Sequence, residues 1–573
     1  MTKRSFVLVL SLFLAAAVGA FANGTKESTA APAQSASTAT SNSMYGGTLN
    51  LGGSAPTTIN ATFNPFSPST DPAVYFVFEP LIYVNPLDGN TIPFLATSSK
   101  WTDNNLKLDV TIRSGVKWND GTPFSAKDVV FTFNLLKKFP ALDLNGVWAP
   151  ITGLQSVELS GTNDVVFSFS HPNVPQSFYL LNTVIVPEHV WSTIANPVNF
   201  QDSENPVGTG PFTRTSFSVS NNVETLTKNA DYWWSGRPYV DKIQIVGNVS
   251  NEAAFLQLRK GDAVENDIAI EDPNRTWVKL DPAHNLLFWP TYSTNNLVMN
   301  LAKAPFNDLA FRKALNLAID KHMLEQRAYF GMGGYDISQT GIIPGQRGAW
   351  YDQSLSSQDA SLTKYDPQAA LQILEKAGYK KTANGLVEPN GTPVPTLSIL
   401  VGSGWTDFIT MAQVISQELS ENLGITTTIT QQAYSTYQTQ LANGTFDMAI
   451  SWPPVPGPNP FYSYNSQLYS QYSAPIGKTA TSNWQRYSNP AIDKALEQFN
   501  STTDLQVQKQ AMYTIEKTML DDLPTIVLDE RTGFDLYSSK DFVGWPTISD
   551  PYSNGWNGTG LDMLPVVVKL HKR

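Results

Sequence analysis

The amino-acid sequence predicts a mixed α/β protein with two or three domains, and three observations support this prediction. The chain has 573 residues, more than a single hydrophobic core usually organises. Segments such as LKLDVTI (106–112) alternate apolar and polar residues, as half-buried strands do. Other segments begin with helix-capping residues, and one of them ends at a glycine, which indicates well-delimited helices.

The predicted strands and helices alternate along the chain. Strand-like patterns occur at 46–53, 106–112, 165–170 and 223–228. The helix signals are a capping box at Ser125–Asp128, a cap followed by proline at Asp366-Pro367 and Asn489-Pro490, and helical apolar spacing across 307–324. Gly378 follows the second of these helices, where a glycine commonly ends a helix.

The segment SWPPVPGPNPFYSYN (451–465) stands apart from these elements. It contains five prolines, four aromatic residues and no ionised side chain. Proline removes backbone donors and clashes with a preceding helical turn, and it is rare in central strands. The composition therefore predicts a rigid, uncharged, non-helical loop.

Composition and charge exclude several functions. The net charge is −11 and no cluster of lysine or arginine occurs, which argues against nucleic acid or anionic lipid as a partner. The absence of cysteine excludes disulfides, thiol catalysis and thiolate metal sites. Only 15% of the residues are charged, so the chain is unusually neutral and aromatic.

The N-terminus has the pattern of a secretory signal peptide. Lys3 and Arg4 precede an apolar run from Phe6 to Ala22 that ends in small residues. A membrane anchor is the alternative, but the run is short for a span. The sequence predicts a signal peptide over 1–22, a flexible tether over 23–43 and an exported, periplasmic protein without a lipid-anchoring cysteine.

The sequence contains no enzyme motif that we recognise. None of its five histidines forms an H-x-x-H or H-E-x-x-H pair, and 402–404 lacks the context of a nucleophile elbow. Gly208 and Gly210 suggest a phosphate loop, but Pro211 blocks the helix start that would hold an anion. We predict no catalytic residue, no metal site and no cofactor, although two distant carboxyl groups can still form a glycosidase pair.

One long segment carries a family resemblance. The stretch from Lys100 to Phe133, with its core R-x-G-V-K-W-x-D-G-x-P, resembles the signature of family 5 extracellular solute-binding proteins. These are receptors of ABC importers for oligopeptides, dipeptides, nickel or oligosaccharides. Further matches follow in the family's order at 205–212, 229–243, 297–321, 365–379 and 483–496.

The resemblance implies a fold and a role. The fold is the type II periplasmic-binding fold, in which two hinged α/β lobes close over a ligand and an extra domain is inserted early. The implied ranges are 44–90, 213–290 and 525–573 for lobe I, 91–212 for the insert and 291–524 for lobe II. The implied role is a monomeric receptor that delivers its ligand to an ABC permease, and the signature residues themselves are interpreted as scaffold.

The residues after the strand that begins Phe446-Asp447 bear on the cargo. In peptide receptors of the family, an acidic residue shortly after this strand meets the amine of the peptide. Here no acidic residue follows Asp447 before Asp493. The same interval contains eight aromatic residues, which suit the apolar faces of a sugar. A neutral ligand also requires no counter-charge.

We therefore expect a neutral oligosaccharide of the β-linked cello- or manno- kind. The alternatives are an oligopeptide receptor, with its amine met by Asp71 or Glu79, and a secreted glycosidase. For each aromatic candidate the alternative role is that of a packed core residue. The predicted ligand residues are Asn64, Phe66, Trp289, Trp405, Trp452, Asn459, Phe461, Tyr462, Trp545 and Trp556.

Overall fold

The computed structural model describes residues 43–54, 59–67, 70–248, 250–331, 334, 336–454, 456–555 and 560–573. The predicted signal peptide and residues 23–42 of the predicted tether lie outside this part of the chain. Within it, no helix combines the length and the apolar character that crossing a membrane would require.

Strands occur along the whole of the described chain. They are β1 Thr48–Ser54, β2 Ile82–Val84, β3 Thr91–Pro93, β4 Ala96–Thr102, β5 Lys107–Ile112, β6 Leu154–Leu159, β7 Asp164–Phe169, β8 Phe212–Ser218, β9 Val223–Lys228, β10 Lys242–Val246, β11 Glu265–Asp267, β12 Asn285–Phe288, β13 Thr291–Met299, β14 Lys380–Thr382, β15 Gly385–Val387, β16 Leu397–Gly402, β17 Thr427–Gln432, β18 Met448–Ser451, β19 Thr525–Thr532, β20 Asp535–Ser538, β21 Phe542–Val543 and β22 His571–Lys572.

The α-helices alternate with these strands. They are α1 Ala126–Lys138, α2 Gln176–Asn182, α3 Glu188–Trp191, α4 Asn251–Lys260, α5 Pro273–Thr276, α6 Leu309–Ala318, α7 Lys321–Ala328, α8 Pro344–Trp350, α9 Ser356–Thr363, α10 Pro367–Lys376, α11 Thr406–Glu418, α12 Tyr434–Asn443, α13 Pro460–Leu468, α14 Pro490–Asn500, α15 Leu505–Asp522 and α16 Met563–Lys569.

The predicted helix starts are confirmed by side-chain caps. The backbone N–H of Ser125 donates to Asp128 Oδ2 (2.9 Å), which completes the capping box of α1. Asp366 accepts from the third residue of α10, and Asn489 accepts from the second residue of α14. The predicted segment 307–324 forms two helices, because the backbone at Ile319 is extended and Asp320 caps a new helix.

The first lobe is built on a seven-stranded mixed sheet. The strand order is β12-β20-β11-β1-β10-β9-β8. β1 lies in the middle and is parallel to β10 and β11, with Thr48 opposite Lys242. Leu49 and Leu51 of β1 are fully buried in the same core that packs against the insert. The sheet therefore brings the beginning and the end of the chain together.

The insert is a four-stranded antiparallel sheet with the order β4-β5-β7-β6. α1 covers it, and Phe133 of this helix meets Phe167 of β7 edge to face at 4.9 Å. A neighbouring loop of the insert contacts the second lobe. There Val174 N donates to Asn500 O (3.1 Å).

The second lobe is built on a five-stranded sheet with the order β17-β16-β18-β13-β19. β16 runs parallel to β17 and β18, whereas β13 is antiparallel to both of its neighbours, β18 and β19. β16, β18 and β19 therefore point in the same direction. Their carboxyl ends meet at one edge of the sheet.

The chain crosses between the two large sheets at two short connections. Trp289-Pro290 joins β12 to β13, and Gly533-Phe534 joins β19 to β20. Strand pairing places β19 in the second-lobe sheet, whereas the sequence-based boundary at 525 put this strand in lobe I. Because β19 pairs along its length with β13, it belongs to the sheet of the second lobe. We therefore propose that lobe I resumes near residue 533.

The prediction of a non-helical segment over 451–465 is wrong for its second half. α13 begins at Pro460, and Asn459 caps it by accepting the N–H of Phe461 (3.1 Å). A proline at the first helical position loses no hydrogen bond, because that N–H would have no partner within the helix. The remaining prolines precede this point and lie in the connection from β18.

Candidate ligand-binding site

Two tryptophans stand at the carboxyl edge of the second-lobe sheet. Trp405 follows β16 and Trp452 follows β18 directly. Their rings are 5.7 Å apart with a tilt of 50°, and both side chains are only partly buried. Open α/β sheets bind ligands outside the carboxyl ends of their strands. The Trp405–Trp452 pair therefore occupies the expected edge for a ligand.

A glycine makes room for this pair. A Cβ atom at Gly402, the last residue of β16, would lie 2.4 Å from a ring carbon of Trp405. No side chain fits at that distance without displacing the ring. The ring of Phe408, in the first turn of α11, packs edge to face against Trp405 at 5.5 Å. The position of Trp405 is thus defined from two sides.

Arg531 of β19 completes the edge. Its guanidinium carbon lies 4.1 Å from the centre of the Trp452 ring, which is a cation–π contact. Nε donates to Tyr292 Oη (2.8 Å) and Nη1 donates to Asn295 Oδ1 (3.2 Å). Among the described residues, no carboxylate oxygen forms a salt bridge with Arg531, and its Nη2 has no hydrogen-bond partner. The guanidinium is oriented by neutral groups and retains donor capacity.

A buried polar network lies behind Arg531. Asn295 Nδ2 donates to Asp529 Oδ1 (2.7 Å) and to Tyr329 Oη (3.1 Å). Tyr329 Oη in turn donates to Asp407 Oδ2 (3.1 Å). Burial raises the pKa of Asp529 well above its usual value, and burial also raises the pKa of Asp407. The network links β13, β19, the residue that follows α7 and the first turn of α11, behind the aromatic pair.

The two connections between the lobes contact each other beside this polar network. Trp289, on one connection, meets Phe534, on the other, edge to face at 5.1 Å. Phe534 also stacks on Tyr329 at 5.7 Å. The predicted ligand residue Trp289 therefore lies at the hinge, next to the polar network. Three predicted residues, Trp289, Trp405 and Trp452, are brought to one region.

Asn64 and Phe66 have other partners. Asn64 is fully buried and its Nδ2 donates to the carbonyl oxygens of Pro197 and Phe200 in the insert. Phe66 packs edge to face on Trp191 at 5.9 Å. Both side chains therefore join the first lobe to the insert, away from the aromatic pair.

Asn459, Phe461 and Tyr462 belong to α13 and its cap. Phe461 is 3% exposed and stacks on Phe499 at 4.7 Å. Tyr462 is buried and donates to the carbonyl oxygen of Pro175 in the insert (3.0 Å). The helical turn directs these rings to the interior, so they pack the second lobe and its contact with the insert.

Trp545 also lies in a core. It stacks on Tyr537 at 5.0 Å, and its Nε1 donates to Phe542 O (3.1 Å). Trp556 lies outside the described residues.

The residues of the site that sequence reasoning missed are Tyr292, Asn295, Tyr329, Asp407, Asp529 and Arg531. Their one sequence signal is the charged run 529–531 directly after the apolar residues of a strand.

Comparison of the sequence with known proteins finds relatives that bind solutes outside the cytoplasm. Residues 90–474 match the family described as bacterial extracellular solute-binding proteins, family 5 (middle region). The oligopeptide-binding protein AppA of Bacillus subtilis is 27% identical over 547 residues, covering 91% of each chain. The nickel-binding periplasmic protein of Escherichia coli is 26% identical over 473 residues, covering 80% of this chain and 84% of the relative.

Solved structures share the fold over nearly the whole chain. A periplasmic oligopeptide-binding protein of an ABC transporter from Thermotoga maritima, solved with bound mannohexaose, aligns with a TM-score of 0.77 at 26% identity. The alignment covers 92% of this chain and 98% of that one. AppA of Bacillus subtilis in complex with a nonapeptide aligns with a TM-score of 0.72 at 21% identity, covering 92% and 99%.

These relatives are solute-binding proteins with the same two-lobed α/β fold. The match extends over more than half of the chain and includes the insert and much of the second lobe. The chain therefore belongs to the bacterial extracellular solute-binding proteins of family 5.

Proposed function

We propose that the protein is the periplasmic receptor of an ABC importer, that it acts as a monomer without catalysing a reaction, and that its cargo is a neutral oligosaccharide of the β-linked cello- or manno- kind. The observation that carries the cargo assignment is the Trp405–Trp452 pair beside Arg531. Flat aromatic rings fit the C–H faces of pyranose rings, and a guanidinium donates to hydroxyl oxygens. The ligand would then be passed to a membrane permease.

The two carboxylates that the sequence suggests for a peptide amine, Asp71 and Glu79, already have partners within the protein. Asp71 is engaged as a helix cap and accepts the N–H groups of Ala73 and Asn60. Glu79 is fully buried and accepts from Tyr232 Oη (2.6 Å) and Trp233 Nε1 (2.9 Å). Burying an ammonium group without a counter-charge is costly. A neutral saccharide avoids this cost.

One observation favours the oligopeptide alternative. Because Arg531 has no carboxylate partner in the described part of the chain, it can pair with the terminal carboxylate of a peptide. Relatives include both a protein named for oligopeptide binding and one solved with mannohexaose. The two candidate cargoes must therefore be separated by direct binding.

A binding screen tests the proposal. The purified protein is titrated by calorimetry with mannohexaose, cellohexaose, a tetrapeptide and a nonapeptide, and its melting temperature is recorded with each. A ligand at 100 times its Kd stabilises the folded protein by about 2.7 kcal/mol. We expect binding and stabilisation with at least one hexasaccharide. Binding of the peptides without binding of either glycan would overturn the cargo assignment.

A second readout tests the absence of catalysis. The protein is incubated with the glycan that it binds, and the reducing ends are measured over time. We expect no increase above a buffer control. Catalytic release of reducing sugar would contradict a receptor role and would favour a secreted glycosidase.

A further inference from the structure

We propose that Asp407 sets the charge selectivity of the ligand site: its carboxylate offsets the charge of Arg531, so that the guanidinium serves uncharged saccharides as a hydrogen-bond donor. The inference rests on the proposed oligosaccharide function and concerns the same site. It assigns to Asp407 a role without direct ligand contact.

A continuous chain of hydrogen bonds joins the two charged groups. Arg531 Nη1 donates to Asn295 Oδ1, and Asn295 Nδ2 donates to Tyr329 Oη. Tyr329 Oη donates to Asp407 Oδ2. Each residue comes from a different element, namely β19, β13, the end of α7 and the first turn of α11. The two charges are therefore held at fixed positions on opposite ends of one network.

Asp407, rather than Asp529, is the carboxylate suited to carry the negative charge. Asp407 lies in the first turn of α11, where the helix dipole and free N–H groups favour an anion. Asp529 is buried, accepts from Asn295, and its Oδ2 has no hydrogen-bond partner among the described residues. Glu530 points to the other face of β19, where it accepts from Thr291 Oγ1.

This arrangement defines the class of ligand. Nη2 of Arg531 is available to donate to a hydroxyl oxygen. Because the carboxylate of Asp407 offsets the charge of Arg531, the site does not require an anionic ligand. A saccharide that carries carboxylates would gain from Arg531 but would be repelled by Asp407. The site should therefore prefer a neutral hexose oligomer to a uronate oligomer of the same length.

The test compares Asp407→Asn with the wild type. Calorimetry measures the Kd for mannohexaose and for a hexamer of mannuronate. We expect the wild type to bind the neutral hexamer at least ~10-fold more tightly than the acidic one. Asp407→Asn should reduce this ratio by ~10-fold or more, chiefly through tighter binding of mannuronate, and this gain should weaken with added salt.

Asp504→Asn is the matched control, because it makes the same charge change at an exposed cap of α15 where asparagine caps equally well. An unchanged ratio in Asp407→Asn, with mannohexaose still bound, would overturn the inference and leave the proposed function intact. If the wild type binds cellohexaose but not mannohexaose, cellohexaose and a hexamer of glucuronate replace the manno pair in the same comparison. If it binds neither mannohexaose nor cellohexaose, the proposed function fails and the inference fails with it. Should Asp407→Asn not fold, Asp407→Ser, which also removes the carboxylate, takes its place, and an unchanged ratio there would equally overturn the inference.

Discussion

Replacing Phe461 and Trp452 separately distinguishes core aromatics from ligand aromatics. The sequence predicts both as ligand residues, but Phe461 is 3% exposed and stacks on Phe499, whereas Trp452 is partly exposed at the sheet edge. Removing a buried phenylalanine ring costs about 3–5 kcal/mol, through lost burial and the cavity that remains. We therefore expect Phe461→Ala to lower the free energy of unfolding by this amount and to leave glycan affinity within about twofold of the wild type.

Trp452→Ala should show the opposite pattern. Because the ring is partly exposed, its loss should destabilise the fold by less than Phe461→Ala does. Glycan affinity should fall by ~10-fold or more, which corresponds to about 1.4 kcal/mol. Urea unfolding followed by circular dichroism measures stability, and calorimetry measures affinity.

Phe461→Leu provides the control, since it keeps most of the apolar volume and should recover most of the lost stability. A stable Phe461→Ala protein that has lost glycan binding would refute this assignment of roles. So would a Trp452→Ala protein that binds glycan with wild-type affinity.

Substitutions at three other residues test local contacts. Burial raises the pKa of Glu516 to about 8, so the stability of the wild type should fall as pH rises from 4.5 towards 8. Glu516→Gln keeps an acceptor for the N–H of Asp352 and should stabilise the protein at pH 8 by on the order of 2 kcal/mol, measured by urea unfolding; equal pH slopes in both proteins would contradict this. Gly402→Ala should displace Trp405, cost about 1–3 kcal/mol and weaken glycan binding; unchanged affinity by calorimetry would argue against a ligand role for that ring. Asp366→Ala removes the cap of α10 and should cost about 1 kcal/mol without changing ligand affinity, and Asp366→Asn should retain the stability.

The parts of the fold that the sequence predicted are those that depend on interactions between residues close together in the chain. The caps at Ser125, Asp366 and Asn489 act within three residues of the chain, so their spacing alone identifies the helix starts. Strand pairing is not local in this sense. The assignment of β19 to the second lobe depends on its pairing with β13, more than two hundred residues earlier, and no pattern within 525–532 indicates this partner.

The candidate site was predictable only in part, for the same reason. Trp452 follows a predicted strand, so its position at a sheet edge could be inferred from the order of elements. Trp405 follows β16, which is not among the strands predicted from the sequence. Phe461 and Tyr462 were assigned to a loop because the density of prolines suggested no helix. Pro460 instead occupies the first position of α13, and the helical period turns both rings inward. Arg531 was missed because its importance arises from neighbours on other elements.

The two connections between the lobes have an entropic consequence. Each connection has two residues, one contains a proline with a fixed φ, and Gly533 N donates to Pro290 O (3.0 Å). The lobes are thus confined to a narrow range of separations and orientations, and each presents its surface to the other at a high effective concentration. When a ligand that touches both lobes binds, the protein therefore loses little further conformational entropy. A larger part of the free energy of the contacts then remains as affinity.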